Sequence, residues 1–172
     1  MGSEMCIRDS RRTIRSSRAE NCWYFTRTLQ SLDISVAPAV AWIQEIQVGL
    51  KGRSWFVSEF VDGISCLDHL KRDVPPAEIE KTLGEIVGIL CKLRDKRISH
   101  GDLKATNILL SDQGPVLIDL DNMRQHSSES TYRQAANKDM NRFLRNWQDN
   151  PDVLATAQQL LSAQGFQTNS PF

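Results

Sequence analysis

Long apolar runs and closely spaced cysteines are both missing from this 172-residue sequence. No stretch approaches the roughly 20 apolar residues that a membrane-spanning helix needs. The four cysteines form no C-x-x-C pair, so neither a zinc finger nor a dithiol redox site is supported. The first twenty residues contain several arginines and no apolar stretch, which argues against a signal peptide. We therefore expect a cytoplasmic, single-domain protein with reduced thiols.

The sequence also lacks an excess of charge of either sign. Its 21 Lys and Arg residues balance its 21 Asp and Glu residues, so no overall field favours nucleic acid as a partner. Residues 1–16 carry four arginines and no usable periodicity. They predict a disordered or non-native arm. The alternative is a basic arm that gives the protein peripheral contact with the inner face of a membrane. The oligomeric state is not predicted.

The remaining residues, 17–168, are predicted to form one domain. In its first part, 17–62, apolar residues at steps of three and four predict a helix from Arg18 to about Asp33. Two β-prone stretches, 39–47 and 54–61, then predict an antiparallel hairpin. This part therefore contains one helix and two strands.

The second part, 63–168, is predicted to be mainly helical. Its helices are expected after Pro76, around residues 140–147 and after the capping residue Asn150. Gly84 and Gly88 within the first of these helices indicate close packing against a neighbour. A short hairpin is expected over 108–118. The polar segment 124–134 predicts a mobile loop.

The stretch from His100 to Asp121 carries the chemistry. Asp102 and Asn107 lie five residues apart before a strand, and Asp119 ends the next strand. Because the intervening turn folds the chain back, these oxygens should converge, and oxygen ligands are those that Mg²⁺ prefers. Asn107 and Asp119 are the predicted metal ligands. Asp102 can orient or deprotonate a hydroxyl, and Lys104 can neutralise a transferring phosphoryl group.

This spacing resembles the catalytic core of the protein-kinase-like fold. His100-Gly101-Asp102-Leu103-Lys104 with Asn107 resembles the catalytic loop, and Ile118-Asp119-Leu120-Asp121 resembles the magnesium-binding turn. Gly101 replaces the arginine of regulated protein kinases, and Asp121 replaces their glycine. Lys104 stands where aminoglycoside and choline phosphotransferases usually carry histidine. The sequence therefore resembles most the lipopolysaccharide-core kinase family, which phosphorylates heptose or 3-deoxy-octulosonic acid, with RIO-type kinases as close relatives.

The resemblance implies ATP and Mg²⁺ as cofactors. It places the hinge between two lobes at Glu59-Phe60-Val61, where the backbone groups of Glu59 and Val61 would meet adenine. Leu109 would pack under the base. It also makes His100 a structural residue and offers Asp139 as a brace below the catalytic loop; a carboxylate at a helix N-terminus is the alternative for Asp139.

The amino-terminal lobe departs from the family pattern. A complete lobe has a glycine-rich hairpin over the phosphates and a strand lysine, yet residues 1–16 contain no lysine. Glu20 is the one glutamate in the first predicted helix that could pair with such a lysine, although Cys22 aligns with that position. The predicted fold is therefore α+β: a protein-kinase-like, two-lobed fold with an incomplete amino-terminal lobe (17–62) and a mainly helical carboxy-terminal lobe (63–168).

Three functions remain open. The first is an ATP- and Mg²⁺-dependent phosphotransferase acting on a sugar hydroxyl of a small molecule or glycolipid. The second is another small-molecule phosphotransferase with a reduced upper lobe. The third is a nucleotide-binding pseudokinase or scaffold without turnover. The intact Asp102, Asn107 and Asp119 favour an enzyme, whereas the missing strand lysine favours the pseudokinase.

Overall fold

The computed structural model describes residues 16–48 and 50–167. Apart from Ser16, the predicted amino-terminal arm lies outside the described residues. The predicted α+β architecture is confirmed: a small upper part of one helix and one hairpin stands above a mainly helical lower part.

The upper part begins with helix α1 (Arg18–Gln30). A capping box fixes its start, because the Ser17 hydroxyl accepts from the Glu20 amide at 3.1 Å and the Glu20 carboxylate accepts from the Ser17 amide at 3.2 Å. Strands β1 (Ala39–Gln47) and β2 (Leu50–Ser58) follow as an antiparallel hairpin. The second strand begins four residues earlier than the pattern predicted. Helix α1 packs on this hairpin.

Within the described residues, the lower part contains four α-helices and five short strands. In chain order they are β3 (Ile64–Ser65), α2 (Cys66–Leu70), α3 (Pro76–Asp95), β4 (Ile98–Ser99), β5 (Ile108–Ser111), β6 (Gly114–Leu117), β7 (Arg124–Gln125), α4 (Glu129–Leu144) and α5 (Pro151–Ala163). Strands β3, β5 and β6 form one antiparallel sheet, and β4 pairs with β7. These two small sheets flank the loop from His100 to Asn107 and hold both of its ends.

A continuous apolar core joins the two parts. Leu29 of α1, Leu83 of α3, Phe143 of α4 and Leu161 of α5 are all fully buried within it. Leu103, inside the chemically important loop, is buried in the same core. Burial of this leucine anchors the loop, so that its polar neighbours can face outward from a rigid base.

Three local expectations are corrected. The segment 124–134 is not a loop throughout, because α4 begins at Glu129 after the Ser128 cap. Gly84 and Gly88 do not mark close packing, since a Cβ atom built at either would meet nothing within 4 Å. Helix α2 was not predicted, because five residues are too few to show a periodic apolar stripe.

None of the helices in the described part of the chain is both long and apolar enough to span a membrane.

Candidate active site

The catalytic-like loop is shaped by a glycine. Gly101 has φ of +81°, and a Cβ atom there would lie 2.4 Å from the carbonyl oxygen of Asn122. A side chain would therefore clash with rigid backbone as well as strain the left-handed conformation. This close approach brings the loop against the turn that follows Asp119.

Asp102 lies beside two cations. Lys104 Nζ is 2.8 Å from one carboxylate oxygen, and Arg142 Nη1 is 2.9 Å from the other. The hydrogen bond from Lys104 is the main reason that the pKa of Asp102 is lowered, and the charge of Arg142 adds to it. The carboxylate therefore stays ionised and can accept a proton or a hydrogen bond from a hydroxyl group.

Asn107 connects Asp102 to Asp119. Its side-chain amide donates to the Asp102 carbonyl oxygen at 2.9 Å and to the Asp119 carboxylate at 3.4 Å. The β5–β6 hairpin creates this juxtaposition, because Ile108 pairs with Leu117 and so returns the chain beside Asn107. The structure thus brings together the four residues predicted from the motif, Asp102, Lys104, Asn107 and Asp119.

The side-chain oxygens of Asn107 and Asp119 suit Mg²⁺. Both hydrogen bonds of the Asn107 side chain use its nitrogen, which leaves its oxygen without a donor from the described residues. No group of three or more His, Cys, Asp or Glu side chains within 16–48 and 50–167 could hold a metal. A site with one carboxylate and one amide oxygen needs phosphate and water oxygens to complete an octahedron, which is how Mg²⁺ is usually bound beside a nucleotide.

Asp139 supports the catalytic-like loop from α4. Its carboxylate accepts from the His100 amide at 2.8 Å and from the Gly101 amide at 3.1 Å. The His100 ring nitrogen Nε2 lies 3.2 Å from the Ile118 carbonyl oxygen. Burial lowers the pKa of His100, so the ring is neutral and donates from Nε2 to that carbonyl. These contacts are structural, as the sequence predicted for His100.

Arg142 is a site residue that the sequence prediction missed. It lies one helical turn after Asp139, and its Nη1 donates to the Gly101 carbonyl oxygen at 2.7 Å as well as to Asp102. No local motif predicts Arg142, since its contact with Gly101 spans about forty residues.

The predicted hinge residues lie between β2 and β3. Glu59 follows the end of β2 and is exposed, and Val61 is half-buried. The Glu59 amide donates to the Pro38 carbonyl oxygen at 2.9 Å. Leu109 is in β5, opposite Ser65 of β3, and is half-buried. The three residues therefore lie at or just beyond the connection between the upper and lower parts.

Glu20 pairs with a lysine of the β1–β2 hairpin and not with the strand lysine that a complete amino-terminal lobe would contain. Lys51 Nζ of β2 lies 2.8 Å from the Glu20 carboxylate. Cys22 faces the turn after β6 instead: burial, followed by the negative charges of Asp121 and Asp119, raises its pKa to about 11. The thiol is therefore uncharged and unreactive at neutral pH.

The chain is similar to a known protein family and to individual known proteins. The family model described as lipopolysaccharide kinase (Kdo/WaaP) matches residues 2–163. The chain is also 38% identical over 66 residues to Sporulation-specific protein 1 of Saccharomyces cerevisiae. It is 32% identical over 80 residues to EKC/KEOPS complex subunit BUD32 of Debaryomyces hansenii.

These two matches are partial. They include 36% and 46% of this chain but only 14% and 30% of the respective relatives. The family match, in contrast, runs through nearly all of the described residues and includes the whole loop from His100 to Asp121. The fold is accordingly protein-kinase-like, and the chain belongs to the lipopolysaccharide kinase (Kdo/WaaP) family.

Proposed function

We propose that this chain carries the catalytic half of an ATP- and Mg²⁺-dependent phosphotransferase that acts on a sugar hydroxyl. The supporting observation is the convergence of Asp102, Asn107 and Asp119 on a loop and turn fixed by backbone contacts. A carboxylate beside two further oxygen ligands for a metal can position a hydroxyl group next to a metal-bound phosphate.

Asp102 is the residue assigned to the acceptor. The acceptor oxygen attacks the γ-phosphorus, the bond to the bridging oxygen breaks, and ADP leaves. Asp102 receives the hydroxyl proton. Lys104 lies near enough to stabilise the negative charge of the transferred group, because its ammonium already contacts Asp102 at 2.8 Å. Arg142 keeps the Asp102 carboxylate oriented.

Asn107 and Asp119 would hold Mg²⁺ through one amide and one carboxylate oxygen. The cation, when bound, neutralises phosphate charge and orients the γ-phosphoryl group. Glu59 and Val61 would meet adenine through their backbone groups, and Leu109 would pack under the base. Because the Glu59 amide already donates to the Pro38 carbonyl oxygen, the Glu59 carbonyl oxygen and the Val61 backbone would serve this purpose.

A cavity beside the turn suits an acidic acceptor. It has a volume of about 420 Å³ and is lined in part by Arg18, Asp121 and Arg124. Arg124, next to the Arg18–Asp121 ion pair, would attract a carboxylate or phosphate group of a glycolipid core sugar. The family description, a lipopolysaccharide kinase, points to the same substrate class. A glycolipid substrate requires only peripheral contact with a membrane.

A second candidate is a nucleotide-binding pseudokinase. The observation in its favour is that Glu20, the glutamate of α1, is paired with Lys51 of the hairpin. Residues 1–16 supply no lysine that could contact the α- and β-phosphates. Measured phosphoryl transfer distinguishes the two candidates, because the phosphotransferase transfers phosphate whereas the pseudokinase only binds nucleotide.

The test replaces Asp102 by asparagine. Asp102→Asn should reduce phosphoryl transfer to a lipopolysaccharide-core acceptor by at least about a hundredfold, because an amide cannot accept the proton. ATP binding should be unchanged. The matched control is Asp112→Asn, which removes an exposed carboxylate from the β5–β6 turn. Undiminished transfer by Asp102→Asn would contradict the assignment, and nucleotide binding without transfer by the unaltered chain would favour the pseudokinase.

A further inference from the structure

The metal-ligand turn (Asp119 to Met123) begins with a residue in an uncommon backbone conformation. Asp119 has φ of 59° and ψ of 56°, in the left-handed region that only a few per cent of residues other than glycine adopt, with aspartate and asparagine among the more frequent ones. Such a conformation persists only where surrounding contacts enforce it. The contact from Asn107, at 3.4 Å, is long and therefore weak. Something else must hold the turn.

The carbonyl groups after Asp119 also need partners. Leu120–Asn122 forms a single turn of 3₁₀ helix, and the Met123 amide bonds back to the Leu120 carbonyl at 3.2 Å. The last carbonyls of such a turn have no partner within it. Buried or half-buried, they require donors from another element.

Asn21 of α1 supplies those donors. Its side-chain nitrogen lies 2.9 Å from the Asp121 carbonyl oxygen and 3.0 Å from that of Met123, with Leu120 at 3.5 Å. A carboxamide has two N–H groups, so the two shorter contacts are full hydrogen bonds and the third is weak. The Asn21 side chain thus links the middle of the turn, at Asp121, to its end, at Met123.

The first turn of α1 is rigid enough for this task. The Ser17–Glu20 capping box fixes it, and Arg18 Nε lies 3.5 Å from the Asp121 carboxylate. Lys51 then links Glu20 to the hairpin. The helix of the upper part is therefore fastened to the turn of the lower part at a single polar contact region.

We propose that Asn21 is a positioning residue for metal binding: by bonding the carbonyls of Asp121 and Met123 it holds Asp119 in the left-handed conformation that faces Asn107. In this role Asn21 acts through the turn, although it also lines the cavity beside the turn. The proposal rests on the proposed function, since it gives Asp119 a metal to bind. It makes the placement of α1 a determinant of Mg²⁺ affinity.

The experiment uses Asn21→Leu, which keeps the side-chain size and the helix but removes both donors. Dissociation constants for ATP are measured by calorimetry with Mg²⁺ and again with EDTA. We expect Mg²⁺·ATP affinity to fall about tenfold, the equivalent of two lost hydrogen bonds, with less than about a twofold change in EDTA. Thr28→Val is the matched control, because it removes a side-chain bond to the Tyr24 carbonyl on the same helix.

Hydrogen exchange provides a readout that needs no ligand. In Asn21→Leu, the Met123 amide, which donates to the Leu120 carbonyl, should exchange about tenfold faster because the turn opens more often, while the amides of β5 and β6 stay unchanged. Unaltered exchange at Met123 would overturn the proposal. Equal losses of ATP affinity with and without Mg²⁺ would also overturn it, since they indicate a general structural effect.

Asp119→Asn distinguishes this proposal from the function on which it depends. Asparagine tolerates the left-handed backbone but lacks the charge. If Asp119→Asn loses Mg²⁺-dependent affinity and Asn21→Leu does not, the Asn21 proposal alone is wrong. If Mg²⁺ has no effect on ATP binding in any of the proteins, the proposed function is wrong. The role of Asn21 in metal binding is then wrong as well.

Discussion

Individual residues at this site are constrained by backbone contacts more than by one another. His100 illustrates this: its amide donates to Asp139 and its ring donates to Ile118. The ring nitrogen Nδ1 is buried, and none of the residues in 16–48 and 50–167 forms a hydrogen bond with it. A proton added at Nδ1 would therefore create a charge that no nearby hydrogen-bond acceptor stabilises.

This environment predicts a pH dependence of stability. An unfolded histidine has a pKa of about 6.5, and burial lowers the pKa of His100 in the folded protein, although the charges of Asp139, Asp119 and Asp102 oppose the shift. Below about pH 6.5 the unfolded chain takes up the proton and the folded chain does not. The free energy of unfolding should therefore fall as pH falls, by up to about 1.4 kcal/mol per pH unit.

Urea unfolding of the unaltered chain and of His100→Gln between pH 7.5 and 5.5 checks this expectation. The variant should lose less stability over that range. Burial raises the pKa of Asp139, which acts in the opposite direction, and each of the two groups shifts the pKa of the other, so the comparison measures the His100–Asp139 pair together. Identical pH slopes would show that His100 does not contribute.

The motif residues could be predicted from sequence because their spacing is local. Asp102 and Asn107 are five residues apart, and a single hairpin returns Asp119 to them. Asn21 and Arg142 could not be found in this way. Their partners lie about a hundred and about forty residues away, so the contacts depend on how whole helices pack, which no short pattern encodes.

At the scale of elements, apolar periodicity predicted α1, α3 and α5 well. It failed for the start of α4, because the first turns of that helix are polar and mostly exposed. The capping residue Ser128 was the available signal there. The separate expectation that Gly84 and Gly88 mark close packing was wrong, since open space beside a helix leaves no trace in its sequence.

The β1–β2 hairpin should be the least stable element among the described residues. It is a two-stranded sheet, and Ile43, Trp55 and Val57 remain 51%, 47% and 43% exposed. Isolated two-stranded sheets are marginally stable in water. The β5–β6 hairpin, in contrast, has Ile108 and Leu117 within the core.

Native-state hydrogen exchange tests this difference. Amides in the middle of β1 and β2 should exchange at least about tenfold faster than those of β5 and β6, because the first hairpin can open without disrupting the core. Equal protection of the two hairpins would contradict the expectation. It would show that packing on α1 is enough to couple the upper hairpin to global unfolding.

At the scale of the whole molecule, the polar contacts that carry the site are concentrated in the lower part. Asp102, Asn107 and Asp119 depend on the β5–β6 hairpin and on α4, and the upper part reaches them through α1. We therefore expect the lower part to bind ATP in a Mg²⁺-dependent manner. The described upper part, of one helix and one hairpin, should be sufficient for this binding.

Thermal unfolding with Mg²⁺·ATP tests that expectation on the intact chain. A ligand at 100 times its dissociation constant adds about 2.7 kcal/mol of stability, which corresponds to roughly 5–10 °C in a domain of this size. The shift should require Mg²⁺ and should disappear in Asp119→Asn, whereas Asp112→Asn, altered on the exposed β5–β6 turn, should keep it. A shift that persists in Asp119→Asn would place the metal elsewhere. The absence of any shift at millimolar ATP would mean that the lower part does not bind nucleotide without further structure above it.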